Sequence, residues 1–212
     1  MTSDQPLSDR QLEQLAAAVQ RGAGACAAAL SGWFGAALSI SVERIGQVPL
    51  QDAARLLGSG DTAVCACLMS MEGGLTGQML LGFEDASGLI LADLILQRAS
   101  GTATEWGDVE ESAALETMNI AGSAFLNGIA EYLAGRVGRD LSLIPAPPIF
   151  LRDFAECLLQ SAFMCQAMDA SVLLFAETLF VLAGQPLSWT FLWIPDSESL
   201  RQLGVMLDGL SS

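Results

Sequence analysis

The segment Asp108–Ala134, DVEESAALETMNIAGSAFLNGIAEYLA, is the most informative part of the sequence, because it predicts a long helix with one apolar face. Asp108, Glu110 and Glu111 stand at its start, where negative charge stabilises the N-terminus of a helix. Its apolar residues recur at the three- and four-residue spacing of one helix face. We expect the following residues of this face to meet the core: Leu115, Met118, Phe125, Leu126, Ile129 and Leu133.

Shorter elements stand before and after this helix in a similar order. Before it, the sequence predicts a helix over Gln11–Gly35 with Ser8 and Asp9 as possible caps, a strand over Leu38–Val42, a short helix over Gln51–Leu57, a hairpin of Ala63–Met71 and Leu75–Phe83, and a helix over Asp85–Arg98. After it come an extended segment over Ser142–Leu151, a helix over Asp153–Ala167, a hairpin of Ser171–Leu182 and Leu187–Ile194, and a last helix from Ser197 to about Leu210.

Matching distances along the chain indicate that the two halves are copies of one unit. Pro49 and Pro148 are separated by the same number of residues as Gln20 and Asn119. We therefore expect an α+β fold that is internally duplicated, with a mostly antiparallel sheet flanked by long helices. It would form a single domain over 1–212, made of two pseudo-repeats at about 8–100 and 105–210.

The composition excludes many kinds of catalytic site. Nine basic residues stand against 24 acidic ones for a net charge of −15; all nine are arginine, and histidine is absent. Without lysine there is no Schiff-base chemistry and no P-loop, and without histidine there is no Ser-His-Asp triad and no histidine-ligated zinc. The negative charge also argues against nucleic acid as a partner.

Two further features concern the compartment and the cysteines. Met1–Leu12 lacks an apolar signal core, and Val172–Ile194 is interrupted by Glu177, Gly184 and Pro186, so we expect a cytoplasmic protein without a membrane partner. The five cysteines show no CxxC spacing. They are interpreted as reduced, buried residues, with a metal or redox role as the lesser alternative.

A row of polar residues lies on the long helix, opposite its apolar face. Ser112, Glu116, Asn119 and Ser123 follow one another at spacings of four, three and four residues, which places them on one side. Such a row is common on a solvated surface. It also describes a rigid carboxylate and carboxamide pair, able to bind a cation and hold a water molecule, and the spacing leaves both interpretations open.

The same residues resemble the active-site helix of the CheC/CheX/FliY family, phosphatases that act on the chemotaxis response regulator CheY. That motif has Asp or Ser, then Glu four residues on, then Asn three further, as in Ser112, Glu116 and Asn119. Gly122–Asn127 continues the similarity, and Gly22–Ser31 and Gln47–Leu50 resemble CheC in the first half. The resemblance therefore implies the duplicated, CheC-like layout.

The sequence departs from the family pattern in two places. In the first half the motif positions hold Glu13, Ala17 and Gln20, so this first site is degenerate and lacks the central carboxylate. The family's downstream proline falls on Ser142, and the nearest prolines begin at Pro145. We expect the first site to be inactive and the second to be intact.

The resemblance implies a hydrolase of two-component signalling that needs no cofactor of its own. Glu116 would bind the lysine of a CheY-like receiver domain, Asn119 would orient the attacking water, and Ser112 would be a supporting contact. The receiver would supply the phosphoaspartate and the Mg²⁺, and the chain itself would hold no metal. This reaction depends on positioning rather than on acid–base chemistry.

Two other interpretations remain. The chain could be a non-enzymatic CheC-like module that docks a CheD-like deamidase or a flagellar switch partner, which the degenerate first motif favours. It could also be a structural α+β domain that carries the motif by chance. The retained pair of Glu116 and Asn119 favours the enzyme.

Overall fold

A computed structural model describes residues 7–49, 52–57, 63–138, 140–163, 172–182 and 184–209. Six helices occur in these ranges: α1 Asp9–Phe34, α2 Ala54–Leu57, α3 Asp85–Ile95, α4 Asp108–Val137, α5 Ala155–Phe163 and α6 Ser197–Gly209. Seven strands accompany them: β1 Leu38–Pro49, β2 Ala63–Gly73, β3 Gly77–Glu84, β4 Leu143–Pro145, β5 Ile149–Phe154, β6 Val172–Leu182 and β7 Gln185–Pro195.

Both long helices form where the sequence predicts them. Ser8 caps α1: its side chain accepts a hydrogen bond from the backbone of Gln11, while the Gln11 side chain accepts one from the backbone of Ser8. α1 stops at Gly35 (φ 62°) and α4 at Gly138 (φ 67°), in a left-handed conformation that glycine adopts readily. α4 begins at Asp108 as predicted and extends one turn farther than expected.

The strands form one antiparallel sheet in the order β1-β6-β7-β3-β2-β4; β4 pairs with the end of β2, and β5 pairs with its first part. Both predicted hairpins are confirmed, as β2 with β3 and β6 with β7. The α+β class with a mostly antiparallel sheet and flanking helices is therefore confirmed. The duplication of the two halves stays a prediction.

Several predicted boundaries are wrong, in two cases because strand pairing overrides the local pattern. β1 continues to Pro49 because it pairs with β6 along its whole length, with a bulge between Val42 and Arg44. Asp153 does not open α5, since it pairs with Val64 in the sheet. The helix predicted over Gln51–Leu57 begins at Ala54, and α3 ends at Ile95. Gln51 and the segment 164–167 lie outside the described residues.

Helices cover both faces of the sheet. The larger core lies between the sheet and helices α1, α4 and α6, and it includes Leu15, Met118, Trp189 and Leu203. A smaller core lies on the opposite face, where α2 and α5 pack on the sheet. Among the described residues, no helix combines the length and apolarity that crossing a bilayer requires.

α1 and α4 run antiparallel and touch through glycine. Cys26 of α1 lines a cavity with Met118 of α4, whereas the earlier residue Ala17 lines a groove with the later residue Glu131. Between these levels, a Cβ atom on Gly128 would lie 2.8 Å from the Cα of Gly22. The two backbones therefore approach more closely than any larger residue at this crossing would allow.

Replacing Gly128 with alanine should destabilise the fold by about 1–3 kcal/mol, because the added methyl group must push two backbones apart. Equilibrium unfolding in urea measures this change. Gly24 is the matched control, since a Cβ there meets no atom within 4 Å. Gly24→Ala should stabilise by about 0.4–1 kcal/mol, and equal effects of the two substitutions would contradict the proposed close contact.

Candidate functional site

The polar row of α4 faces solvent, as the sequence predicts. Ser112, Glu116 and Asn119 are exposed, and Ser123 is half-buried. The opposite face is buried at Met118, Phe125, Leu126, Ile129 and Leu133, while Leu115 is half-buried. The helix thus presents a carboxylate and a carboxamide one turn apart on its outer surface, held by a tightly packed inner surface.

The two motif side chains have no partner within the part of the chain that the structure describes. The carboxylate of Glu116 and the carboxamide of Asn119 make no hydrogen bond or ion pair there. Glu110, two turns earlier, is different: its carboxylate accepts a hydrogen bond from Arg98 at 2.7 Å, which lowers the pKa of Glu110. Glu116 and Asn119 are therefore free to bind an external molecule.

The degenerate motif lies on α1 at the other end of the helix pair. Glu13, Ala17 and Gln20 are all exposed. Gln20 lines the groove that Ala17 shares with Glu131, and the stretch of α4 from Asn119 to Glu131 is about 18 Å long. The structure therefore keeps the two motif rows apart, and neither can complete the other.

The described cysteines do not form a reactive site. Cys26, Cys65 and Cys67 are buried and free, as the sequence interpretation holds, whereas Cys157 is exposed. Burial raises the pKa of the Cys26 and Cys67 thiols to about 12, so neither is a thiolate at neutral pH. Cys165 lies outside the described residues. In the described ranges, no group of three or more ligand side chains could hold a metal ion.

A polar cluster anchors the start of α4, and no pattern in the sequence predicts it. Asp85 accepts hydrogen bonds from the indole Nε1 of Trp106 at 2.9 Å, from Nε and Nη2 of Arg152 at 2.7 and 3.1 Å, and from Cys65 Sγ at 3.2 Å. Trp106 directly precedes Gly107, the N-cap of α4, and its ring lies 4.7 Å from that of Phe150. The cluster joins residues from four separate segments, so no spacing in the sequence reveals it.

A second anchor holds the connection that leads into α4. Asp93 is fully buried, and its carboxylate accepts hydrogen bonds from the backbone N–H groups of Thr102 and Ala103. Arg98, in the same connection, binds Glu110 of α4. These contacts hold the first turns of α4, where the polar row begins, in a fixed position relative to the preceding connection.

The charge of Asp85 is stabilised by its neighbours. Hydrogen bonds from Arg152 lower the pKa of Asp85, those from Cys65 and Trp106 act in the same direction, and partial burial opposes them. A lowered pKa in the folded state means that this contribution to stability is complete above the unfolded value of about 3.9. It is lost as the pH falls through the folded value.

Comparison with solved structures identifies the fold. The chain is similar to FliY of Thermotoga maritima (TM-score 0.76, 16% identity, covering 96% of this chain and 98% of that one). It is also similar to the FliM middle domain of H. pylori (TM-score 0.63, 11% identity, covering 94% and 99%) and to the chemotaxis protein CheX of Desulfovibrio desulfuricans (TM-score 0.50, 10% identity, covering 84% and 99%). No protein-family model matches the sequence, and no curated protein sequence does.

These structures share one fold, which occurs in FliY, in the FliM middle domain and in the chemotaxis protein CheX. The chain has the CheC/CheX/FliY fold, which confirms the resemblance seen in the sequence at the level of the fold.

Asp85→Asn should lower the free energy of unfolding at pH 7 by about 1–3 kcal/mol, because it removes the charge that Arg152 and Trp106 bind. Since the Asp85 contribution disappears in acid, the difference between parent and variant should shrink as the pH falls below about 4. Urea unfolding at several pH values measures both effects.

Asp52→Asn provides a matched control, because Asp52 faces Arg55 at 3.9 Å on an exposed surface. Such pairs contribute little to stability, so this substitution should change it by less than about 1 kcal/mol. A gap between parent and Asp85→Asn that stays constant across the acid range would contradict the assigned role of the Asp85 carboxylate.

Proposed function

We propose that this chain is a phosphatase that hydrolyses the phosphoaspartate of a CheY-like receiver domain. The observation that carries the proposal is the exposed pair of Glu116 and Asn119, without a partner among the described residues, on the long helix of a CheC/CheX/FliY fold. The sequence resemblance assigns these same two residues to catalysis. The chain would act in the cytoplasm, where receiver domains are found.

In this proposal Glu116 acts by binding. Its carboxylate would pair with the ammonium group of the receiver lysine and so hold α4 over the phosphorylated site. Burial of this pair when the two proteins meet strengthens the interaction, because water no longer screens it. Glu116 would therefore contribute mainly to the stability of the complex.

Asn119 would act on the water molecule. It lies three residues beyond Glu116, about 4.5 Å along the helix axis, so both side chains can reach one partner site. Its carbonyl oxygen would accept a hydrogen bond from the attacking water and fix it in line with the phosphorus–oxygen bond that breaks. The products are inorganic phosphate and the free aspartate of the receiver, and the receiver's Mg²⁺ would stabilise the transferred group.

The amino-acid composition is compatible with the roles proposed for Glu116 and Asn119. A chain without lysine or histidine has no imidazole base, and its phosphate-binding cations are limited to arginine. The proposed reaction needs neither from this chain, because lysine, metal and phosphoryl group all belong to the receiver. What remains for this chain is to bind the receiver and to position one water molecule.

The first motif is proposed to be inactive. Ala17 has no carboxylate to bind a lysine, and Gln20 carries its carboxamide one methylene farther from the helix than an asparagine would. Both positions are exposed, so the loss follows from the side chains and not from burial. We therefore expect one working site per chain.

A binding role without catalysis is the second candidate function. The FliM middle domain of H. pylori has a similar fold, and a FliM of that organism has been crystallised in a complex with FliG. A module of this kind would dock a flagellar switch protein or a CheD-like deamidase. The degenerate first motif favours this candidate, whereas the retained pair on α4 favours the phosphatase.

Asn119→Ala should reduce the dephosphorylation of a phosphorylated receiver at least about 100-fold, because the water loses its positioning group. Asn119→Gln should also lose activity, since the longer side chain displaces the carboxamide and reproduces the state of the first motif. Loss of radiolabelled phosphoryl group from the receiver measures the rate.

Gln20→Ala is the matched control on the exposed face of α1 and should leave the rate unchanged. Equal rates for Asn119→Ala and the parent chain would refute the assignment of Asn119. A parent chain that binds the receivers of its organism without accelerating their dephosphorylation would instead identify a docking module.

A further inference from the structure

The strand β5 stands at one end of the sheet and is paired on one side only. Its residues Ile149–Phe154 pair with β2, and no other described strand pairs with them. The side chain of Ile149 is 53% exposed, and that of Phe154 is 48% exposed. A strand with a free edge and exposed apolar side chains can pair with a strand of another chain.

The direction of the β2 backbone determines which groups of β5 are free. The N–H of Ala146 donates to the carbonyl of Ser70 at 2.8 Å, so the backbone groups of Ser70 face the side of β2 where β4 and β5 lie. Successive residues of an antiparallel strand direct these groups to alternate sides, and β2 pairs with β3 without interruption over this stretch. Leu68 therefore faces the same side and bonds its register partner Ile149.

The same alternation within β5 leaves every second residue facing outward. Leu151 and Asp153 direct their N–H and C=O groups toward β2, as Ile149 does. Phe150 and Arg152 therefore direct theirs away from the sheet. Within the described ranges, these outward backbone groups have no hydrogen-bond partner. They form a short row that can bond an added strand.

The opposite end of the sheet is protected by comparison. The N–H of Leu38 in β1 donates to the hydroxyl oxygen of Ser31 at 3.0 Å, and that hydroxyl donates to the carbonyl of Leu38. Farther along β1, the side chain of Gln47 bonds both backbone groups of Leu7, and a bulge interrupts the strand. Such features discourage the addition of a strand, and the outward groups of β5 have none of them among the described residues.

The β5 strand is held in place without a partner. The side chain of Arg152 binds Asp85, and the ring of Phe150 lies 4.7 Å from that of Trp106. A strand that is already ordered loses little conformational entropy when it binds, and this favours the complex.

The charges at this edge indicate the chemistry of a partner. The guanidinium of Arg152 donates two hydrogen bonds to Asp85, so its charge is compensated. Asp153 and Glu156 are exposed and form no ion pair with a described residue. A basic segment is complementary to this edge, whereas a second copy of this acidic chain would bring like charge.

We propose that the free edge of β5 binds an extended, basic segment of a partner protein as an added antiparallel strand. The backbone groups of Phe150 and Arg152 bond this strand, as in other cases of strand addition. A lysine or arginine of the segment lies opposite Asp153, and apolar residues lie opposite Leu151 and Ile149. The site is separate from the proposed phosphatase reaction, because neither motif residue of α4 takes part.

The probe is a synthetic peptide, acetyl-Val-Lys-Thr-Val-Thr-Val-amide, whose lysine falls opposite Asp153 in the antiparallel register. Amide hydrogen exchange of the full chain is followed by NMR with and without the peptide. In the free chain, the amides of Phe150 and Arg152 should exchange faster than those of Leu151 and Asp153, because only the latter pair bonds β2. Saturating peptide should slow the exchange of Phe150 and Arg152 at least about tenfold.

Charge reversal tests the register. Asp153→Lys should raise the Kd of the peptide about fivefold, since like charges then face each other across the two strands. Glu131→Lys is the matched control, because Glu131 is also exposed and lies about 35 Å along α4 from the start of that helix. At 0.15 M salt it should leave Kd unchanged. If Asp153→Lys does not fold, a peptide with glutamate in place of lysine decides the same point, and it should bind the parent chain about fivefold more weakly.

Three results would overturn the proposal. One is unchanged exchange of the Phe150 and Arg152 amides at millimolar peptide. Another is an equal loss of affinity in Asp153→Lys and Glu131→Lys, which would reveal a general attraction between opposite charges. The third is protection of the same amides in the free chain that increases with protein concentration, which would identify a second copy as the occupant. None of these results bears on the phosphatase, whose test is the activity of Asn119→Ala.

Discussion

The backbones of α1 and α4 touch at Gly22 and Gly128, and the rest of the helix layer depends on this contact. Because the helices are antiparallel, it places the start of α4 beside the end of α1. The apolar side of each helix then faces the sheet, where Leu15 and Met118 belong to one core. The polar row of α4 is left on the outer surface as a consequence of how the inner surface packs.

The described acidic residues fall into two groups with different roles. Asp85 and Asp93 accept hydrogen bonds that join separate segments of the chain, and the donors around Asp85 stabilise its charge. Glu116 belongs to the second group, since its carboxylate has no partner among the described residues. A carboxylate that stands on a rigid helix and has no ion-pair partner among the described residues is suited to binding a cation of another molecule. That is the role proposed for Glu116.

Local patterns predicted the helices and hairpins well and the ends of several elements poorly. α1 and α4 follow from apolar spacing and from caps such as Ser8, which act within one or two turns. β1 and the start of α5 do not, because Pro49 and Asp153 take their conformation from pairing with Val172 and Val64. Within the candidate site, helical spacing was enough to place Ser112, Glu116 and Asn119 on one exposed surface. The Asp85 cluster could not be predicted from the sequence, since its members come together only through the sheet.

The sequence alone sets the chemistry that is possible, because the absence of lysine and histidine and the spacing of Glu116 and Asn119 need no knowledge of distant contacts. It also determined which side of α4 is apolar, since a helix has a constant period. The tertiary fold alone places the intact and degenerate rows at opposite ends of the helix pair, with the contact between Gly22 and Gly128 in between. These relations depend on the antiparallel crossing of α1 and α4. Packing between residues far apart in the chain sets that crossing, and no local period encodes it.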